Sequence, residues 1–278
     1  MTRILLPTDF SDNSLEAIRY ALLTYKDIKC TFYLLNTYTP TVYQTEYLIG
    51  SPGQIGLGDI LQENSLTQLE ELKKRLEKQH KNINHTIIVR SAFNTLLGEI
   101  SHTVEAEHID VLVMGTTGAT GAKEILFGTN TVHVIKKAKC PVIAVPPKFE
   151  YEAPKEILFP TDYEIEFEKK MLAPLLAISQ QHKARVNVLH VRKGYDLNEA
   201  EETHKGQLEK LLGNTALFHE VPDNGIIDAI NAFQVKQKIN LLVMVQNKHT
   251  FMERLFIEPI IKKIGFHVTV PFMVLPQN

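Results

Sequence analysis

The chain has 278 residues and a formal net charge of −2, with 44% hydrophobic and 22% charged residues, long enough for two domains of ordinary size, each with a buried core. So balanced a charge excludes broad electrostatic attraction to nucleic acid or to an anionic membrane. No apolar run approaches the roughly 20 residues of a spanning helix, Met1-Thr2-Arg3 leads into a strand instead of a signal peptide, and two cysteines, Cys30 and Cys140, give no disulfide framework; a soluble cytoplasmic protein is expected.

In chain order, short apolar segments rich in β-branched residues predict strands near 3–7, 31–36, 85–89, 109–114 and 141–145. Between them the spacing predicts helices. The first begins near Asn13, with Glu16 three residues on as in a capping box, and turns Leu15, Ile18 and Leu22 inward. Helices near 61–80 and 94–107 follow, and Asn130 to Ala138, with Val132 and Ile135 three apart and Lys136 and Lys137 near its end, reads as a short helix. The segment from Thr37 to Gly58 holds three tyrosines, two prolines and four glycines; it is either a lid over a ligand or a disordered, partner-binding stretch.

The pattern then repeats. Arg3-Ile-Leu-Leu-Pro-Thr-Asp9 recurs as Glu156-Ile-Leu-Phe-Pro-Thr-Asp162, and Leu35-Asn36 as Leu189-His190. Asp110-Val-Leu-Val-Met114 recurs as Asn240-Leu-Leu-Val-Met244, and Pro141 to Pro146 as Pro271 to Pro276. Two copies fused in tandem, 1–148 and 154–278, joined by a short charged linker, account for this. Strands alternating with amphipathic helices predict an α/β protein of two doubly wound parallel-sheet domains, with ligands at the carboxyl ends of the strands.

The chemistry concentrates after the fourth strand, where Gly115-Thr-Thr-Gly118 is followed by nine residues and then Gly128-Thr129. Strand, glycine loop and helix start together make a backbone cradle for phosphate: glycine lets the main chain approach the anion, and the helix start offers unpaired N–H groups. Amides of Thr129, Asn130 and Thr131 face such an anion, with the Thr129 and Thr131 hydroxyls as donors. The plain alternative is a tight turn in which glycine serves geometry only. Lys123, within the loop, either reaches a phosphate or is a solvated lysine. Asp9, after Pro7-Thr8, ends the first strand on the same rim; its carboxylate accepts from ribose hydroxyls, or helps begin the first helix with Ser11 and Asp12. In the second copy Val245-Gln-Asn-Lys248 stands for Gly115-Thr-Thr-Gly118, and Ile257-Glu-Pro259 for Gly128-Thr-Asn130. Each change opposes anion binding, so one nucleotide per chain is expected.

Other chemistries find little support. Eleven histidines show no metal-ligand spacing, and both cysteines read as small buried residues. A nicotinamide dehydrogenase carries its glycines after the first strand, where this chain has Pro7-Thr-Asp-Phe10, and a P-loop kinase has lysine where Thr129 stands.

GTTGATGAKEILFGTNT, ILLPTDFSDNSLEAIRYA (Ile4 to Ala21) and CPVIAVP (Cys140 to Pro146) together resemble the nucleotide-binding subgroup of the universal stress protein family. That resemblance implies the strand order 3-2-1-4-5. It also implies an internal pseudo-dimer in which strands near 141–145 and 271–275 meet, with association of two chains left open. A bound ATP or other adenine nucleotide is implied too, with Mg2+ carried on its phosphates. Asp9 then lies near the ribose and adenine, and main-chain groups around Asn36 and Thr37 read the base. Met114, Gly115, Thr117 and Gly118 line the loop, and Gly128 to Thr131 the helix start. Stress-response signalling through conformation or partners is the implied activity, with slow hydrolysis, or a stress protein without nucleotide, as alternatives.

Overall fold

The computed structural model describes residues 1–39, 57–117, 128–192, 194, 196–222, 225–246 and 269–277. In the first half β1 (Thr2–Pro7), α1 (Asp12–Thr24), β2 (Cys30–Tyr38), α2 (Leu57–Gln79) and β3 (His85–Phe93) are followed by α3 (Leu96–Ala106), β4 (Val111–Gly115), α4 (Thr129–Lys137) and β5 (Val142–Val145). The second half runs β6 (Glu156–Pro160), α5 (Lys169–His182), β7 (Arg185–Arg192), α6 (Glu199–Leu212), β8 (Ala216–Pro222), α7 (Ile226–Gln237), β9 (Leu241–Val245) and β10 (Phe272–Leu275).

All ten strands form one sheet in the order β3-β2-β1-β4-β5-β10-β9-β6-β7-β8. Each half therefore has the strand order 3-2-1-4-5. Every pairing is parallel except the central one, where β5 and β10 run antiparallel with Phe272 opposite Ala144 and Val274 opposite Val142. Two short apolar strands that would each be an open edge cover one another. Near the join, Tyr20 of α1 meets the rings of Phe149 and Tyr151 edge-on, at 6.0 and 5.7 Å. Gln181 of α5 donates to the carbonyl of Thr24 at 2.7 Å.

Because the strands are covered on both faces, they read as continuous apolar runs instead of alternating ones. One face packs Ile4, Leu6, Phe32 and Leu34 under α1 and α2, and continues through Ile143 and Met273 to Phe159 and Val188 beneath α5 and α6. The opposite face packs Leu5, Leu112, Ala144, Phe272 and Leu242 with α3, α4 and α7. Each large aliphatic side chain buried this way contributes about 1.5–3 kcal/mol relative to exposure.

Three sequence expectations shift. α1 begins at Asp12, and its N-cap is Ser11, whose side chain accepts from the amide of Ser14. The Asn13–Glu16 capping box is absent: Asn13 is already helical, and the Glu16 carboxylate accepts from the amide of Lys148 at 2.9 Å. Serine and asparagine cap about equally well; the Asn13 side chain is instead engaged with Val145 and Thr117. α2 starts four residues before position 61, and β3 extends to Phe93 instead of 89 because its pairing with β2 continues to Tyr38. Residues 40–56 of the Thr37–Gly58 segment, Gly118, Lys123, Lys248 and Ile257 to Pro259 lie outside the described residues. Among the described residues no helix is long and apolar enough to cross a membrane.

Candidate functional site

The ends of β1 and β4 lie side by side, because Leu5 pairs with Leu112. The β1–α1 turn and the loop after β4 therefore share one rim of the sheet, at the carboxyl ends of the parallel strands where doubly wound folds take their ligands.

Pro7 and Thr8 are buried at the end of β1, and Asp9 is exposed just beyond. The Thr8 hydroxyl accepts from the Phe10 amide at 3.0 Å and pairs with Ser14 Oγ at 2.9 Å. Asp9 Oδ1 accepts from the Ser11 amide at 3.1 Å and the Ser11 hydroxyl at 2.5 Å. Asp9 thus does open the helix with Ser11, as the second of its two readings has it, while its exposed carboxylate stays on the rim. Phe10 holds φ at 62°, a left-handed value that costs an ordinary residue about 1–2 kcal/mol. The turn's hydrogen bonds offset that strain.

Asn36 follows the buried part of β2, which ends at Leu35, and its side chain bonds on both sides: Nδ2 donates to the Thr8 carbonyl at 2.8 Å, and Oδ1 accepts from Ser65 at 2.8 Å. The side chain ties the Thr8 turn to α2, while the main chain of Asn36 and Thr37 continues the pairing with Ser91 and Ala92 of β3.

The loop after β4 is organised by a residue that the sequence reading passed over. Asn13 reaches from α1 to donate to the Val145 carbonyl at 3.1 Å and to accept from the Thr117 amide and hydroxyl at 3.0 and 3.2 Å. Gly115 is bare for its sake: a Cβ there would lie 2.5 Å from Asn13 Oδ1 and 3.1 Å from the Asn13 carbonyl carbon. The glycine thus makes room for an asparagine, where the sequence reading had it make room for a phosphate. Met114 is buried below it.

Gly128 is the N-cap of α4, and its amide donates to the Thr116 carbonyl at 2.7 Å. Among the described residues no side chain caps this helix, and Thr129 and Asn130 are exposed at its first turn. The amides of that turn face the rim with the positive end of the helix dipole behind them. Thr131 corrects its expected role. Its hydroxyl is buried and donates to the carbonyls of Gly115 and Thr116, at 3.0 and 3.2 Å, so it ties α4 to the end of β4 and is not free for an anion. The Thr129 side chain is exposed at the helix start.

The candidate residues thus form two groups, the β1–α1 turn with the end of β2 and the β4–α4 loop, with Asn13 of α1 reaching the second. Nothing in local spacing marks Asn13, since its partners are far away in the chain. Both thiols are buried, and burial pushes Cys30 and Cys140 up to about 12, which leaves them without nucleophilic chemistry at neutral pH. Among the described residues no group of three or more histidine, cysteine, aspartate or glutamate side chains is arranged to hold a metal ion.

The profile of the Universal stress protein family matches residues 1–146. A universal stress protein of Methanocaldococcus jannaschii is 33% identical over 146 residues, a match covering 51% of this chain and 81% of that protein. A second protein of that name from the same organism is 30% identical over 156 residues, covering 51% and 93%. Across both halves, the crystal structure of a universal stress protein from Archaeoglobus fulgidus DSM 4304 superposes with a TM-score of 0.69 at 19% identity, covering 99% of this chain and 96% of that one. That last likeness is one of fold alone, and it spans both halves of the sheet. With more than half its length matched by the family profile, the chain belongs to the universal stress protein family.

Proposed function

We propose that the chain is a stress-response protein of two fused family domains, 1–148 and 154–278, which binds ATP or a related adenine nucleotide in the first domain and acts through conformation or partners. The observation that carries this is the start of α4. It is a helix N-terminus with a glycine cap and two exposed residues, set on the same rim as the Asp9 turn. Main-chain amides of Thr129 and Asn130 and the Thr129 hydroxyl would hold the phosphates. The loop through Thr117 and Gly118 would pass beside them, Asp9 would accept from the ribose, and main-chain groups at Asn36 and Thr37 would meet the base. Mg2+, if carried, is held by the phosphates.

Binding is the proposed role and turnover is not, because among the described residues none of the rim is placed as a base for water; slow hydrolysis is the most that a phosphate cradle alone supports. The second domain is proposed to take no nucleotide. Val245 stands where the first has Gly115, and Tyr163, 1% exposed, is stacked on His190 with ring centroids 5.0 Å apart at the place corresponding to Phe10 and Asn36. Calorimetric titration of the full chain with ATP and Mg2+ tests both statements. One site per chain is expected; no heat at millimolar ATP overturns the binding, and two equivalent sites overturn the asymmetry.

A further inference from the structure

A single file of hydrogen bonds crosses the rim beneath the proposed base and ribose positions. Ser91 of β3 donates to Ser65 Oγ at 2.7 Å, Ser65 of α2 donates to Asn36 Oδ1 at 2.8 Å, and Asn36 of β2 donates from Nδ2 to the Thr8 carbonyl at 2.8 Å. Every donor points the same way, so each bond polarises the next. The file ends on the residue before Asp9. Beyond it the Ser14 hydroxyl donates to the Ser11 carbonyl at 2.8 Å, so in the Thr8–Ser14 pair Thr8 is the donor. The Asp9 turn is therefore gripped from β2 on one side and from α1 on the other.

Ser65 is the unexpected member. It lies at the head of the stripe Ser65, Leu69, Leu72 and Leu76, which α2 buries against the sheet. Packing alone would favour an apolar residue at a position 4% exposed, and a buried hydroxyl is costly unless bonded. The second half repeats the device with other side chains. Four residues before the buried Leu208 of α6, His204 donates from Nδ1 to the Tyr163 carbonyl at 2.8 Å, and His190 from Nδ1 to the Thr161 carbonyl at 3.0 Å. In both halves the second helix is tied to the turn after the first strand.

We propose that Ser65 is a positioning residue for the nucleotide site: it touches no ligand, but through Asn36 it sets the Thr8–Asp9 turn and thereby couples the seating of α2 to recognition of the nucleoside. The inference rests on the proposed nucleotide site and deepens it. The test titrates the full chain, wild type and variants, with three probes: ATP, adenosine and inorganic tripolyphosphate. Ser65→Ala is expected to weaken ATP and adenosine by the same factor, about fivefold, the worth of one neutral hydrogen bond, and to leave tripolyphosphate unchanged, because the α4 start is held separately by Asn13 and Thr131. Ser65→Thr, which keeps the hydroxyl, is expected to restore adenosine binding. Ser91→Ala, one bond further out, is expected to show the same selectivity at a smaller size, and serves if Ser65→Ala does not fold. Unchanged adenosine binding in both alanine variants overturns the proposal, as does equal weakening of all three probes. Tripolyphosphate bound without adenosine by the wild type also overturns it while leaving the phosphate cradle standing. Failure of the wild type to bind any probe removes the nucleotide site itself, and this inference with it.

Discussion

The two halves put the same backbone to different use at the same rim. In each, the threonine after the first strand takes the amide of the residue two positions on, Phe10 to Thr8 at 3.0 Å and Tyr163 to Thr161 at 3.1 Å. In each the following aspartate accepts from an amide two residues later, and an aromatic residue sits at positive φ, 62° for Phe10 and 58° for Tyr163. The turn is thus a property of the repeat, independent of any ligand. What differs is the filling. In the first half the turn is flanked by small polar side chains, Asn36 and Ser65, and Phe10 is half-buried. In the second half Tyr163 and His190 stack in the corresponding place, and burial pushes the tyrosine hydroxyl above its ordinary range. At the loop after the fourth strand Gly115 faces Asn13, whereas the second half has Val245, with Glu166 on the aligned stretch after Asp162. A duplicated turn keeps its geometry because its threonine and aspartate side chains accept the same main-chain amides in both halves, while the side chains packed around it differ.

Importing the second half's residue into the first breaks the contrast most directly. Gly115→Val places a Cβ on top of the Asn13 amide and backbone, so it is expected to cost about 1–3 kcal/mol of stability. It should also weaken ATP by about a hundredfold, near 3 kcal/mol. Denaturant unfolding and calorimetry read the two effects; a stable protein with normal affinity would show that the glycine is dispensable. Asn13→Ala is the milder form. It leaves the Thr117 amide without its partner and removes one of the two donors on the Val145 carbonyl, which keeps the Thr116 amide at 3.0 Å, at about 1–3 kcal/mol, and loosens the loop without filling it. ATP is expected to bind roughly tenfold more weakly, with the stoichiometry unchanged.

The smallest effect sharpens the comparison from the other side. Burial lowers His219 and His182, both in the second half, below the ordinary histidine value of 6.5, and moves His80 of the first half the same way; His219 uses Nε2–H to donate to Asn187 at 3.0 Å. The unfolded chain therefore takes up protons first as the pH falls. Stability is full above about 6.5 and declines as the pH drops through that value toward the folded ones. Thermal unfolding followed between pH 7.5 and 5 should show the midpoint falling, and replacing His219 and His182 by glutamine should flatten that part of the profile. An equally steep profile in the double variant would place the proton uptake elsewhere.

Strands such as Val111–Gly115 and Val142–Val145 were legible because burial on both faces demands unbroken apolar, β-branched runs. The repeat was legible because Pro-Thr-Asp and the terminal strands recur in order. The boundaries of β3 and α2 were not, since continued pairing and packing set them and local propensity does not. At the site, Gly115, Gly128 and Thr129 could be found because glycine next to a strand end and a helix start is a local signal. Asn13 could not: it acts across 132 residues on Val145, and in sequence it is one more polar residue in a helix's first turn. Thr131 was found but misassigned, since a hydroxyl at a helix start looks the same whether it faces solvent or the carbonyls beneath it.

The order of apolar runs, amphipathic helices and turn residues was enough to dictate a doubled α/β sheet with its glycine loop on the carboxyl rim, because those patterns follow from covalent geometry and burial within a few neighbouring residues. Folding alone decided how that rim is used: which hydroxyls are already engaged, why Gly115 must stay bare, and how α2 reaches the Asp9 turn. Such bonds join residues that only the packed sheet brings within hydrogen-bonding distance of one another, and no reading along the chain can tell an occupied donor from a free one.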